Sequence, residues 1–514
     1  MNQTTHATEN HAGKSDQSNI ERSLAYFFAD HVTRLRFEDL SLEALTWARM
    51  GILDTVGVTL AGSHEPCAVL ISKALGLMAS APGVAQPNPS ARASARASAH
   101  PDVLADVRAD VRSNPSAVAS VWGHHWAGSP LDAAYINGTA AHALDFDDCN
   151  NTMGGHPSAP ILPALFAVAK VHPVSAKDLM VAYIAGFEVE TKLAMTVNFH
   201  HYTKGWHPTA TLGVFGAAAA CSKLMRLDVE QTAVALALAA SSAAGIKANF
   251  GTMTKPMHVG RCAREGLMAA MLAKEGYSAN ALSVFEHDQG FFEVFNGAGF
   301  YAPEKARTHW ARPWDIVEPG IAIKQYPCCG STHPAVDCAI ELFQEHRFAP
   351  QDIERIQIWI HARRLTHTNR PHPQSELDAK FSVQYVVVRA LLEGRVGIGH
   401  FEPKDFQSNE VLALLPLVQA RAYDDTMFEA SNHFAARVSV TLKGDKVLTK
   451  EVMQPHGRTS KNPLRTEQLK AKFDLCAQKV LTPKGVDLAY QWIESMLMQS
   501  DAGSLEEIFV ANLK

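Results

Sequence analysis

The chain has 514 residues, a net charge of −5, 47% hydrophobic residues and 19% charged ones. That length allows two or more domains with sizeable cores, and the composition is that of an ordinary globular protein. It lacks the basic stripe of a nucleic-acid-binding protein, and no apolar run reaches the roughly 18 residues needed to span a membrane.

Residues 1–19 are polar and carry no apolar signal core, so they predict a disordered tail. Helical apolar spacing predicts helices over 23–35, 41–61 and 66–78, with Ser41 as a cap and Gly62 as a stop. Residues 80–115 are rich in Ala, Pro and Ser and repeat the strings ARASARASA and ADVRADVRS, which predicts a disordered insert. Order resumes near Val118, and 131–144 predicts a helix running into an acidic loop. Ser175 with Asp178, and Asp228 with Gln231, form capping boxes for helices over 178–197 and 229–243. Small residues within 208–225 favour close helix packing, and 258–275 predicts a helix stopped by Gly276.

Nothing between 20 and 320 alternates like a strand, which predicts an all-helical domain. Beyond 321 the pattern changes. Ile356, Ile358 and Ile360 alternate with polar residues, and so do Val438, Val440 and Leu442 ahead of a Gly444-Asp445 turn. Helices over 332–346 and 380–393 accompany these strands, and residues 461–514 return to helix. The expected fold is mainly α with a smaller α+β domain: a helical domain over 20–320, an α+β lid over 321–460, and helices over 461–514 returning to the first domain. Eight cysteines are scattered without a C-x-x-C pair, which predicts reduced thiols and a cytoplasmic location.

The chemistry-bearing stretch is His142–Lys170. An apolar segment stops at Asp145, Asp147 and Asp148, a glycine-containing loop follows, and His156-Pro157 precedes a proline-rich helix start. Four further stretches join it. GWHPTATLG carries His207, and GTMTKPMHVGRCAREG carries Lys255, His258 and Arg261. KQYPCCGSTHPAVD carries Lys324, Tyr326 and His333, and KFSVQYVVV carries Tyr385. His156 and His207 are candidate proton-transfer groups, because histidine titrates near neutrality. Lys255 and Lys324 stand in loops at helix N-termini, which favour anions, and could bind carboxylates and developing charge. Asp145 could orient or tune a histidine, whereas Asp147 and Asp148 read as loop caps. A tyrosine in an apolar helix such as Tyr385 is more often core than catalyst. There is no H-E-x-x-H and no clustered cysteine set, which argues against a metal or iron–sulfur site.

Together, HALDFDD…GGHPSAPILPAL, GTMTKPMHVGRCA and KQYPCCGSTHPAVD resemble the signature stretches of the MmgE/PrpD family, in the family's order from about Ile20 to the final helices. The resemblance implies a helical domain with an α+β lid, a homodimer, a site between the two domains, and no required metal or organic cofactor. It places catalytic roles on Asp145, His156, His207, Lys255 and Tyr385, and substrate binding on Lys255, His258, Lys324 and Cys149. The implied reaction abstracts a proton beside a carboxylate of a small di- or tricarboxylate. A hydro-lyase like 2-methylcitrate dehydratase, an enzyme of propionate metabolism, is the leading expectation. An epimerase, isomerase or decarboxylase is the alternative. Cys149 stands where the decarboxylase members carry threonine, and the loop before His156 is one residue longer, which turns the expectation away from decarboxylation. A polycarboxylate-binding protein is the non-enzyme alternative; it would keep Lys255 and Lys324 with no need for His156.

Overall fold

A computed structural model describes residues 21, 23–76, 118–308, 310–429, 432–459 and 462–514. The expected tail and insert lie outside the described residues. The protein is mainly α, with a smaller α+β part.

The helical body contains α1 (Leu24–Arg34), α2 (Leu42–Gly62), α3 (Pro66–Ala74), α4 (Pro130–Ala143), α5 (Ser158–Val171), α6 (Ala176–Val197), α7 (Gly213–Leu224), α8 (Val229–Ser242) and α9 (Thr254–Lys274). The two-residue strands β1 (Ala119–Ser120) and β2 (Ala127–Gly128) pair just before α4. The caps explain the helix starts. Ser41 accepts from the Ala44 amide, and the boxes Ser175/Asp178 and Asp228/Gln231 close at both of their hydrogen bonds. Helix α5 is apolar all round, and its Ile161, Leu162, Leu165 and Phe166 are fully buried. Burial of each such side chain contributes about 1.5–3 kcal/mol, so α5 is held by packing on every side.

One crossing sets the site. Helices α4 and α9 pack together where Gly138 meets Gly260. A Cβ on Gly138 would lie 2.9 Å from the Gly260 Cα, and one on Gly260 would lie 2.1 Å from the Tyr135 carbonyl oxygen. Only glycine allows backbones to approach this closely. The contact brings the first turn of α9, with Lys255 and His258, beside the C-terminal end of α4.

The lid is built on a four-stranded sheet of order β4-β3-β5-β6, from β3 (Ile353–Ile360), β4 (Val418–Ala422), β5 (Ala436–Leu442) and β6 (Lys446–Val452). Strands β3 and β4 are parallel; β3–β5 and β5–β6 are antiparallel. Ile356, Ile358, Ile360, Val438 and Val440 are fully buried in the lid core. Helix α10 (His333–His346) packs on β5 and β6. The short α11 (Ala362–Thr368) follows β3, and α12 (Val383–Glu393) packs on α10.

Three helices complete the chain: α13 (Thr466–Ala477), α14 (Pro483–Glu494) and α15 (Ser504–Ala511). Helix α13 lies back on α2 of the body, with Phe473 against Gly57. No described helix is long and apolar enough to cross a membrane.

Candidate active site

The acidic loop begins where α4 ends. Asp145 adopts φ +52°, in the left-handed region that few non-glycine residues occupy. Its amide still bonds the His142 carbonyl at 3.1 Å. This turn aims its carboxylate at two lysines. Lys255 Nζ donates to Oδ1 at 2.6 Å, and Lys324 Nζ lies 3.2 Å from Oδ2. Burial alone would raise the Asp145 pKa, but the two ammonium groups outweigh it and hold the carboxyl well below its usual range.

Lys324 is positioned by backbone pairing. Cys149 and Ala322 exchange both of their backbone hydrogen bonds, at 2.8 and 2.6 Å, where the chain passes from body to lid. Two residues later Lys324 faces Asp145 and also donates to the Asp145 carbonyl. Asn150 closes the loop: its amide bonds the Gly155 carbonyl at 2.9 Å, and its side chain donates to Gly320 at 3.0 Å. Gly155 must be glycine because a Cβ there would sit 2.9 Å from the Thr209 amide nitrogen. Thr209 in turn accepts the His156 amide at 3.0 Å.

Asp147 is shared between two imidazoles. His142 Nδ1 lies 2.9 Å from both of its oxygens, and His156 Nδ1 lies 3.1 Å from Oδ2. The two rings stand edge-on with centroids 4.3 Å apart. Their environments separate them. Burial drives the His142 pKa down to about 3 despite Asp147, so this ring is neutral. Burial would also lower His156, but Asp147 and the Cys149 sulfur, 3.8 Å from Nδ1, outweigh it and hold its pKa at about 10. Paired groups pushed apart in this way suit acid and base roles, and the Asp147 carboxylate beside His156 suits that ring to the acid form. Its other nitrogen, Nε2, lies 3.8 Å from Asp145 Oδ1. His142 Nε2 is buried without a hydrogen-bond partner among the described residues.

His207 and His258 form a second pair, Nδ1 to Nδ1 at 3.3 Å. His207 is fixed by its amide bond to the Gly245 carbonyl and by an edge contact with Phe250. Burial first, then Lys255, hold His207 well below the usual histidine range; burial and Arg261 lower His258 to about 4. Both rings are neutral. Lys255 additionally faces the Phe250 and Phe381 rings, at 5.2 and 5.3 Å.

The structure therefore brings Asp145, Cys149, His156, His207, Lys255, His258 and Lys324 together. It does not bring Tyr385. That hydroxyl donates to the His400 carbonyl, and the ring packs on Phe401 and Phe406 in the lid core. The two lysines also differ from expectation. They were read as clamps for substrate carboxylates, yet both face Asp145. The carboxylate is within the same chain, and a substrate carboxylate would have to share or replace it. Ligand atoms of His142, Asp145, Asp147 and His156 lie within 4.8 Å of one another, a spacing that could hold a cation. Both Asp145 oxygens already face ammonium groups, and His156 is itself cationic, so the positive charge in this cluster is supplied by side chains.

Sequence reading missed His142, Asp147 and Lys472. The signal for the first two was present, since Asp147 follows His142 by five positions across the end of α4. Asp148, by contrast, does bond within its loop region, accepting from the Ser158 amide at 3.3 Å and from the Ser158 hydroxyl. Lys472 of α13 donates to the Phe146 carbonyl at 2.8 Å and pairs with Asp54 at 2.5 Å, so it steadies the loop between Asp145 and Asp147. Nothing local to Lys472 announces this.

Comparison with known proteins agrees with this architecture. Residues 90–302 match the model of the MmgE/PrpD N-terminal domain, and residues 326–492 match that of the MmgE/PrpD C-terminal domain. The chain belongs to the MmgE/PrpD family. It is 34% identical to the human cis-aconitate decarboxylase over 363 residues, 69% of this chain and 74% of the relative. The mouse cis-aconitate decarboxylase is 31% identical over 76% of this chain and 80% of its own length. A cis-aconitate decarboxylase-like protein of Aspergillus oryzae is 25% identical over 92% of this chain and 94% of its own. These comparisons support an enzyme of the lyase class. They do not support the hydro-lyase expectation in particular: the three relatives are named as decarboxylases or decarboxylase-like, so the alternative reading fits better than the leading one.

Proposed function

We propose that this protein is a carboxy-lyase acting on cis-aconitate or a closely similar unsaturated tricarboxylate. The observation that carries the reading is geometric: His156 Nδ1 sits 3.1 Å from the Asp147 carboxylate, which favours its acid form, and stands beside Asp145 with Lys255 and Lys324 on that same carboxylate. Decarboxylation needs a proton donor, whereas dehydration and epimerisation begin with a base. The named reaction of the relatives is of the first kind.

The step balances simply. In cis-aconitate the bond between the methylene carbon and its carboxylate breaks, and carbon dioxide leaves. The electron pair moves through the adjacent double bond and comes to rest on the far alkene carbon, conjugated with that carbon's carboxylate. One proton from His156 to that carbon gives 2-methylenesuccinate. Lys255 and Lys324 stabilise the charge that develops on the conjugated carboxylate. Preorganised charges of this kind are often the largest catalytic contribution. Asp147 holds the His156 ring in position, and the neutral His207–His258 pair lines the site without competing for substrate as a cation.

The test is direct. Purified protein is incubated with cis-aconitate in deuterated water and followed by NMR. The expected product is 2-methylenesuccinate carrying one deuterium at the methylene beside a carboxylate, with stoichiometric release of carbon dioxide. Hydration or double-bond isomerisation without loss of carbon would overturn the proposal in favour of a base-initiated reaction, for which His207 would be the candidate base.

A further inference from the structure

With Lys255 and Lys324 facing Asp145, a substrate bearing three carboxylates needs further cations. The lid supplies them at one turn. Residues 327–332 lead into the N-terminus of α10, and the amides of Gly330, Ser331 and His333 have no hydrogen-bond acceptor among the described residues. A helix N-terminus with free amides favours an anion, and independent features of the same turn point the same way. Arg364 of α11 donates from Nη1 to the Ser331 hydroxyl at 3.1 Å, and His367 Nε2 lies 3.0 Å from that hydroxyl. Arg458 Nη1 lies 3.4 Å from where a Gly330 Cβ would be, and Lys324 Cε lies 3.9 Å from the same point. Both guanidinium groups stack on Phe434, at 4.1 and 4.3 Å from its centroid.

These arginines are unusual in their pairing. Neither forms an ion pair with a carboxylate among the described residues. Arg364 is otherwise bonded to the His433 carbonyl. Arg458 leaves its Nε buried without a partner, and its electrostatic partners are the sulfurs of Cys149 and Cys329. Burial and then Arg458 push the Arg364 pKa down, the mark of a like-charge neighbour. The nearest acid on α10, Asp337, is taken by the Tyr326 hydroxyl at 2.6 Å and the His456 amide at 3.4 Å. Two guanidinium groups stacked on one ring, facing cysteine sulfurs and with no carboxylate partner among the described residues, leave a place that a carboxylate can fill.

We infer that Arg364, Arg458 and the free amides of the Gly330–His333 turn form a carboxylate subsite that selects tricarboxylates over dicarboxylates. Gly330 provides the room, since a side chain there would project toward Arg458 and Lys324. The inference rests on the reading that the substrate is a polycarboxylate, but not on which bond of it breaks.

Calorimetric titration of the full chain with two unreactive acids tests it: propane-1,2,3-tricarboxylate, and glutarate, which has the same carbon chain without the central carboxylate. The wild type is expected to bind the tricarboxylate at least about tenfold more tightly. Charge-assisted hydrogen bonds of this kind account for about ten- to a hundredfold in affinity. Arg364→Gln and Arg458→Gln should therefore each lose that factor for the tricarboxylate while glutarate binding stays nearly constant. Arg458→Lys should recover only part, because an ammonium lacks the planar fork. If either arginine variant fails to fold by circular dichroism, Gly330→Ala carries the test. It keeps every charge and should lose the preference by filling the space. A wild type without preference, or variants that lose both ligands equally, would overturn the subsite. Preference that collapses in a protein unable to decarboxylate would uphold the subsite and sink the decarboxylase reading; the reverse pattern would do the opposite.

Discussion

Replacing His156 by Gln tests the acid role and the electrostatics together. In the folded protein its pKa stands at about 10 against 6.5 for a free histidine. At about 1.4 kcal/mol per unit, that difference corresponds to about 5 kcal/mol of preference for the imidazolium in the native state. The sign follows from linkage. A histidine with a raised folded pKa contributes its full stabilisation below the unfolded value of 6.5 and loses it as the pH rises through about 10. Wild-type stability, measured by denaturant unfolding, should therefore fall by several kcal/mol between neutral pH and about pH 11, and His156→Gln should lack that share of the decline. In the same variant kcat should drop by about 10²–10⁴-fold, the usual contribution of a general acid, with substrate binding largely kept. The wild-type kcat profile should stay flat through neutrality and fall only near the upper pKa. Parallel stability curves for the two proteins, together with equal kcat, would refute the reasoning.

Asp145→Asn leaves two buried ammonium groups without their shared counter-ion, and unfolding measurements should show a loss of about 3–5 kcal/mol. Lys255→Ala and Lys324→Ala should each lower kcat/KM by about ten- to a hundredfold with the fold intact by circular dichroism; a wild-type value would leave that lysine without a part in turnover. Tyr385→Phe removes one buried hydrogen bond to the His400 carbonyl, so thermal unfolding should show a loss of about 1 kcal/mol while turnover is kept; a large fall in kcat would return Tyr385 to the site. Exhaustive chelation should leave turnover unchanged, and a loss restored by one defined metal would show that the His142–Asp145–Asp147–His156 cluster holds an ion.

Much of the fold was legible because it is written locally. Caps such as Ser41 and Asp228, the stop at Gly276, and the alternation of Ile356, Ile358 and Ile360 are each short-range signals. Strand β4 was not legible. Its sequence, Val-Gln-Ala-Arg-Ala, is short and half exposed, and it pairs in parallel with a strand about sixty positions earlier. The site divides in the same way. His156, His207, Lys255 and Lys324 were legible as candidates from local cues: His156 and His207 precede a proline-started helix, Lys255 opens α9, and Lys324 precedes a Pro-Cys-Cys-Gly turn. No motif or periodicity marks Arg364 or Arg458. What sets them apart is spatial: both face Phe434 and the 330–333 turn, with no carboxylate ion pair among the described residues. For Tyr385 the apolar helix was the better guide: it reads as core, the resemblance placed it in the site, and its bond to the His400 carbonyl keeps it in the lid core.

The bond from Lys472 to the Phe146 carbonyl joins residues 326 positions apart. A ribosome adds residues from the N-terminus at about 5–20 per second. The loop that carries Asp145, Asp147 and His156 is therefore made early and stays unbraced until α13 has emerged, well over ten seconds later at those rates. Asp54 waits through that interval with its ion-pair partner Lys472 not yet synthesised. A nascent chain cut short between Lys324 and α13 would carry almost every reactive group of the site and still lack its brace. The brace of the acidic loop is thus the last part of the site to be made.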